Sequence, residues 1–182
     1  MLCIFVALVC GLYIQYYTKY NTSYKILQTY LDKINIDTLY ERYPVVIYDR
    51  VVDPVSLTNT LFKYSYTFKN VIVQKGSQTP SMTLNKYTLI YNIKDDIDIN
   101  IISPFYKSMF TYKFANNLFS AKENIQDSNV EYVTIKLKKQ QVLILPTYWL
   151  YQTTSIHHVL TMNDPFTILI NLFNMWFRTS RV

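Results

Sequence analysis

The chain has 182 residues, half of them hydrophobic and 16% charged, with a formal net charge of +6. That length suits one well-buried domain with an appended segment, and the composition excludes both a disordered chain and a uniformly apolar one. Lysines and arginines are scattered, with one local group at Lys136, Lys138 and Lys139; no basic helix, zinc-finger spacing or RNP-like motif supports sequence-specific nucleic-acid binding.

Glycine occurs only twice, against roughly thirteen at an average usage of about 7%. Tyr appears 18 times, and Ile, Asn and Lys are plentiful. This is the imprint of AT-rich codons, and it predicts Asn at many turn positions that require positive φ.

Residues 2–17, LCIFVALVCGLYIQYY, precede the first charged side chain at Lys19, and Tyr13, Tyr16, Tyr17 and Tyr20 gather at the far end. The apolar side chains Leu2, Ile4, Phe5, Val6, Leu8, Val9, Leu12 and Ile14, followed by an aromatic belt, predict a transmembrane anchor over residues 1–20. A cleaved signal peptide and a buried first helix are the alternatives; the lack of a basic n-region and of a small-x-small site after Gly11 favours the uncleaved anchor. Lys19 and Lys25 follow the segment, so the positive-inside rule places a single-pass protein with its C-terminal body facing the cytosol. Both cysteines, Cys3 and Cys10, lie in the segment; a body without a disulfide framework suits a reducing compartment, where the sequon at Asn21 stays unmodified.

Ile26, Leu27, Tyr30, Leu31 and Ile34 recur at helical spacing behind Ser23, which predicts a helical stalk over 21–42. From Tyr43 the pattern turns to strands: YPVVIYDRVV, FKNVIVQKG, KYTLIYNI, DIDINIISP, EYVTIKLK, QVLILP and FTILINLF. Each is a short β-branched or aromatic run beside turn residues, so residues 43–182 are expected to form one mainly β domain, an antiparallel sandwich or barrel. The stretch 105–129 reads as a long excursion containing a short helix.

The order of these pieces resembles the cupin-like, JmjC-type double-stranded β-helix (jelly-roll) family. YPVVIYDRVVDP looks like the family's "K-P-V-V-I" strand, QVLILPTYWLYQTT like its "G-D-x-L-F-I-P-x-x-W-W-H" passage, and TILINLFNMWF like its closing "S-I-S-V-N-F-W" strand. Active members hold Fe(II) by a His-x-Asp/Glu pair and a distant His, leaving positions open for oxygen and 2-oxoglutarate. Aligning Pro146 and Trp149 puts Tyr151 in the distal His position, and no His-x-Asp or His-x-Glu occurs in the chain. The two histidines, His157 and His158, are adjacent; on a strand they would face opposite ways, and they read as exposed loop residues. The resemblance therefore implies the scaffold without its metal, cofactor or catalytic residues.

Other chemistry has no recognisable setting. Asp95, Asp96 and Asp98 read as a hairpin turn, since the EF-hand spacing and its closing Glu are absent, and no Ser lies in a Gly-x-Ser-x-Gly context. An anchor, a β-body without metal ligands and AT-rich coding together resemble the membrane-anchored proteins of large nucleocytoplasmic DNA viruses. That resemblance implies a non-catalytic structural or interaction protein, a pseudoenzyme bound to membrane lipid and to capsid or other virion proteins, placed in a virion internal membrane. The second reading is a small-ligand module whose pocket is lined by Tyr148, Trp149, Tyr151 and Asn171. A side-chain-filled interior favours the first and an open one the second; a divergent oxygenase is a third reading, for which the ligands are missing.

Overall fold

A computed structural model of the chain describes residues 2–61, 68–115, 118–125 and 129–170. The protein is mainly β, with two six-stranded sheets. The first has the order β1 (Leu27–Thr29), β2 (Val45–Ile47), β10 (Val142–Pro146), β5 (Tyr87–Tyr91), β12 (His157–Asn163) and β3 (Phe68–Gln74). The second has the order β7 (Tyr112–Ala115), β8 (Leu118–Ala121), β4 (Ser81–Met82), β11 (Leu150–Gln152), β6 (Ile97–Ile102) and β9 (Val133–Leu137). Strands β1 and β2 are parallel; the other neighbours are antiparallel. From β3 to β6, and again from β9 to β12, each connection crosses from one sheet to the other.

Three apolar layers result. Leu143 and Leu145 of β10 point between the sheets, where they meet Ile90, Val159, Ile97, Ile99, Ile101 and Trp149. Val142 and Ile144 point the other way, toward Leu39 of helix α2 (Ile36–Tyr40) and toward Leu57 and Leu61 of helix α3 (Pro54–Leu61). Both faces of the first sheet are therefore covered, which is why VLILP reads as an unbroken apolar run instead of an alternating one. The third layer lies on the outer face of the second sheet, where Ile102 and Leu150 pack with Phe110, Phe119, Ile125 and Val130. A 3-10 helix, Pro104–Met109, leads into that layer; it and the β7–β8 hairpin occupy most of the expected excursion.

Six of the seven expected strands are present. In the seventh run, FTILINLF, residues 166–170 are helical and the rest lies outside the described residues, while β12, which carries the two histidines, occupies the place between β5 and β3. Asp164 accepts a hydrogen bond from the Thr167 N–H (2.8 Å) and Pro165 follows it, an N-cap with proline in the first turn that outweighs the β propensity of the run.

The helical stalk is also overturned. Within residues 21–42 the chain forms strand β1, a turn and the five-residue α2. Ile26 packs toward the space between the sheets and Leu27 toward the outer layer, the two-sided alternation of a strand, and β1 is held in register by β2.

The N-terminal segment forms helix α1 (Leu2–Thr18), but among the described residues no helix is long and apolar enough to cross a membrane. Its 17 residues span about 25 Å, against about 30 Å of hydrocarbon. The second half of the helix also belongs to the body: the Tyr13 hydroxyl donates to the Asp164 carboxylate and its ring packs 4.8 Å from that of Phe166. Ile4, Phe5, Val6, Leu8, Val9, Leu12 and Ile14 are exposed on this helix, of which Leu2 is the first residue. The single-pass anchor, the cytosol-facing topology and the internal-membrane placement built on it are thereby withdrawn.

Positive φ falls elsewhere than expected. Among the described non-glycine residues it occurs at Arg42, Gln140 and Tyr148, none of them Asn.

Candidate functional site

Strand β11 and the turn that leads into it carry Tyr148, Trp149 and Tyr151, and alternation along this stretch separates them. Trp149 and Tyr151 point between the sheets, whereas Tyr148 and Leu150 belong to the layer outside the second sheet. The turn from β10 forces this arrangement. The Trp149 N–H reaches the Pro146 carbonyl at 3.4 Å, and Tyr148 takes φ 70°, the left-handed third position of a tight turn. An aromatic residue there is strained by about 1–3 kcal/mol. Neighbouring contacts hold it: the Tyr148 N–H donates to Thr83 O (2.6 Å), Lys107 Nζ sits 4.3 Å from the ring centroid, and Tyr20 meets the ring edge-on at 5.9 Å. Tyr148 therefore does not share a pocket with Trp149 and Tyr151, and Asn171 lies outside the described residues.

Tyr151, in the position where the resembled oxygenases carry a metal-binding histidine, is 2% exposed. Its hydroxyl donates to Gln74 Oε1 at 2.7 Å, and its ring meets His157 edge-on at 5.8 Å. Gln74 and His157 are directly opposed residues of β3 and β12, so their side chains emerge on the same face, toward Tyr151. This tyrosine–glutamine–histidine cluster joins the two sheets at one end of the interior. Burial pushes the Tyr151 phenol far above its ordinary value, so it stays protonated.

His157 corrects the reading of an exposed loop pair. Both histidines are on β12 and face opposite ways: His157 is 2% exposed inside, and His158 stacks on Tyr91 at 5.2 Å on the other side. Burial pulls the His157 imidazole below its ordinary value, and His158 adds to the effect, against the opposing contact with Ser155. Its Nδ1 lies 2.9 Å from the Ser155 carbonyl, which can only accept. The neutral ring therefore carries its proton on Nδ1 and a lone pair on Nε2. That Nε2, Gln74 Nε2 and Trp149 Nε1 are buried without hydrogen-bond partners among the described residues.

These groups do not fit Fe(II). Tyr151 offers a protonated phenol already engaged by Gln74, and His157 stands beside it without a carboxylate partner. Among the described residues no group of three His, Cys, Asp or Glu side chains is arranged to hold a metal ion. The three aspartates are divided: Asp95 and Asp96 lie in the loop before β6, where Asp96 Oδ1 accepts from the Lys139 N–H at 2.8 Å, and Asp98 lies on β6.

Sequence reasoning placed Tyr151 and Trp149 on the inward path but missed Gln74 and His157. The available signal is the short β-branched and apolar run HHVLTMN, which competes with FTILINLF for the place of the last strand. No family model matches the chain, and no curated protein matches it. The cupin-like and viral resemblances consequently receive no support from comparison, and the virion placement is withdrawn with the anchor.

Proposed function

We propose that this protein is a non-catalytic binding scaffold that acts through its outer surfaces and works with a protein or other macromolecular partner. The observation that carries the reading is Tyr151: at the position that the sequence resemblance would give to a metal ligand stands a buried phenol tied to Gln74 and packed against His157. The space between the sheets supports it as well. Trp149, Leu143, Ile99, Ile101 and Val159, all fully buried, occupy the volume that a substrate would require. The two sheets, between which the chain crosses repeatedly, support a β scaffold whose loops and outer faces are free for contact.

The test is the full chain titrated with Fe(II), Mn(II) and 2-oxoglutarate, singly and together, with metal content and melting temperature as readouts. A scaffold of this kind shows no stoichiometric metal and no ligand-dependent rise in melting temperature. One equivalent of bound metal, a saturable shift with 2-oxoglutarate, or turnover of 2-oxoglutarate overturns the reading.

A further inference from the structure

Beside the layer that Ile125 and Phe119 build, the outer face of the second sheet opens into a cleft of about 260 Å³. Its polar walls come from Asn100, Gln152, Asn124, Thr153, Asp98 and Tyr132. The cross-strand register lines up Gln152 of β11, Asn100 of β6 and Thr134 of β9 in one row. Asn100 Nδ2 donates to Gln152 Oε1 (3.2 Å), and Asn100 Oδ1 accepts from the Thr134 hydroxyl (2.8 Å). The Gln152 amide donates in turn to the Gln78 carbonyl, which fixes the far end of the row. Both amide planes are therefore oriented by the fold before any ligand arrives, and each amide group has two N–H donors and two lone pairs.

We propose that this cleft binds a neutral saccharide, one hexose-sized ring at a time. Charge decides against the other polar ligands. Among the described lining residues there is no Lys, Arg or His, and Asp98 already has Lys136 of β9 opposite it in register, so a phosphate, a carboxylate or a nucleic-acid backbone would meet a carboxylate with no further described cation to receive it. Asp98, the one carboxylate among the described lining residues, is likewise too little for a hard cation, which takes six or more oxygen ligands. A sugar hydroxyl donates and accepts at once, and the oriented amides and the Thr153 hydroxyl present both functions side by side.

A further observation points to such a ligand. Tyr132, 47% exposed, stands two residues before Thr134 beside the row, where its ring can cover the C–H face of a pyranose. The volume lies just below that of pockets for drug-sized ligands, about 300–1,000 Å³, which suits one ring of a longer glycan.

The inference rests on the reading that the protein acts through its outer surfaces, and it adds the ligand class. The test uses the full chain and the methyl glycosides of glucose, galactose, mannose and N-acetylglucosamine, with sialic acid and a sulfated hexose as anionic controls. Binding is followed by isothermal titration and by saturation-transfer NMR.

At least one neutral glycoside is expected to bind saturably with a Kd on the order of 1 mM, unchanged by EDTA and by added salt. Tyr132→Ala and Asn100→Ala, each with an unchanged melting temperature, are expected to weaken it about tenfold. No saturable binding of any neutral glycoside, preference for the anionic sugars, or binding indifferent to both variants would overturn the proposal. Those failures remove the saccharide alone, whereas the metal and 2-oxoglutarate titration tests the scaffold reading separately.

Discussion

Strand β11 exposes its polar residues to two opposite conditions. On the inner side Tyr151 is buried with Gln74 and His157, and its hydroxyl proton is committed to Gln74 within the protein. On the outer side Gln152 joins Asn100 and Thr134 in a row that keeps spare donors and acceptors facing a cleft. Buried polar groups of the first kind specify how two sheets meet, because misalignment would leave them unpaired. Groups of the second kind cost little to the fold and remain available to a ligand. Substitutions on the two sides should therefore separate stability from binding.

The largest effect is expected at Trp149, which is fully buried between the sheets. Trp149→Ala should destabilise the protein by about 3–5 kcal/mol, measured by urea unfolding. Trp149→Phe should recover much of that loss, since the indole Nε1 has no partner among the described residues. A Phe variant as unstable as the Ala variant would show that the interior depends on the indole N–H.

Next comes Gly76, one of the two glycines in the chain. A Cβ at this position would lie 2.0 Å from the backbone carbonyl of Thr154, where the loop after β3 crosses the loop after β11. Backbone cannot step aside as a flexible side chain can, so Gly76→Ala should cost about 3 kcal/mol, near the upper end for overpacking. Because Thr154 also borders the cleft, the same variant is the single change expected to disturb both regions.

Tyr151→Phe sharpens the contrast. It keeps the ring but leaves the Gln74 carbonyl oxygen unpaired in the interior, at about 1–3 kcal/mol. Saccharide binding should stay as in the parent protein, and a loss of binding with the fold intact would mean that the two sides are coupled.

The inner cluster also predicts a pH dependence. His157 is depressed by burial, so as pH falls through about 6.5 the unfolded chain takes up a proton that the folded chain refuses. Stability is full above that value and declines below it. Asp164 acts in the same sense at lower pH: burial alone would raise its carboxyl, but Lys86 at 2.8 Å, Tyr13 and the Thr167 N–H together hold it below its ordinary value. Its contribution is present above the ordinary carboxylate range and is lost as pH falls through the folded value. Urea midpoints measured from about pH 7 to about pH 5 should fall in the parent protein and flatten in His157→Gln. A parallel slope in both would remove His157 as the cause.

How far the sequence was legible follows from the kind of signal each region carries. Fully buried strands such as VLILP and YTLIY declare themselves by apolar runs and half-buried ones such as IDIN by alternation, and both the mainly β class and six strands are readable from them. The two ends of the chain misled for one physical reason: local hydrophobicity is silent about tertiary partners. The first 17 residues of α1 and its flank look like an anchor until Tyr13 is found bonded to Asp164. The run FTILINLF looks like a strand until the cap formed by Asp164 and Pro165 turns its described part, residues 166–170, into a helix. Tyr151 could be located from its passage; Gln74 could not, because its role depends on β3 lying opposite β12 across 83 residues of chain. The amide row was equally hidden, since Asn100, Thr134 and Gln152 meet only through register.

The smallest effect is expected in that row. Asn100→Ala removes two exposed-face hydrogen bonds, to Gln152 and from Thr134, in a place where water can replace both, so stability should change by no more than about 0.5 kcal/mol. Compared with Tyr151→Phe, which loses one bond in the interior, the outer variant loses two and still costs less; the difference measures what burial adds to a polar contact. If Asn100→Ala instead costs as much as Tyr151→Phe, the row is a structural clamp between β6, β9 and β11. Its amides are then spent on the fold, and the cleft has no spare capacity to offer a ligand.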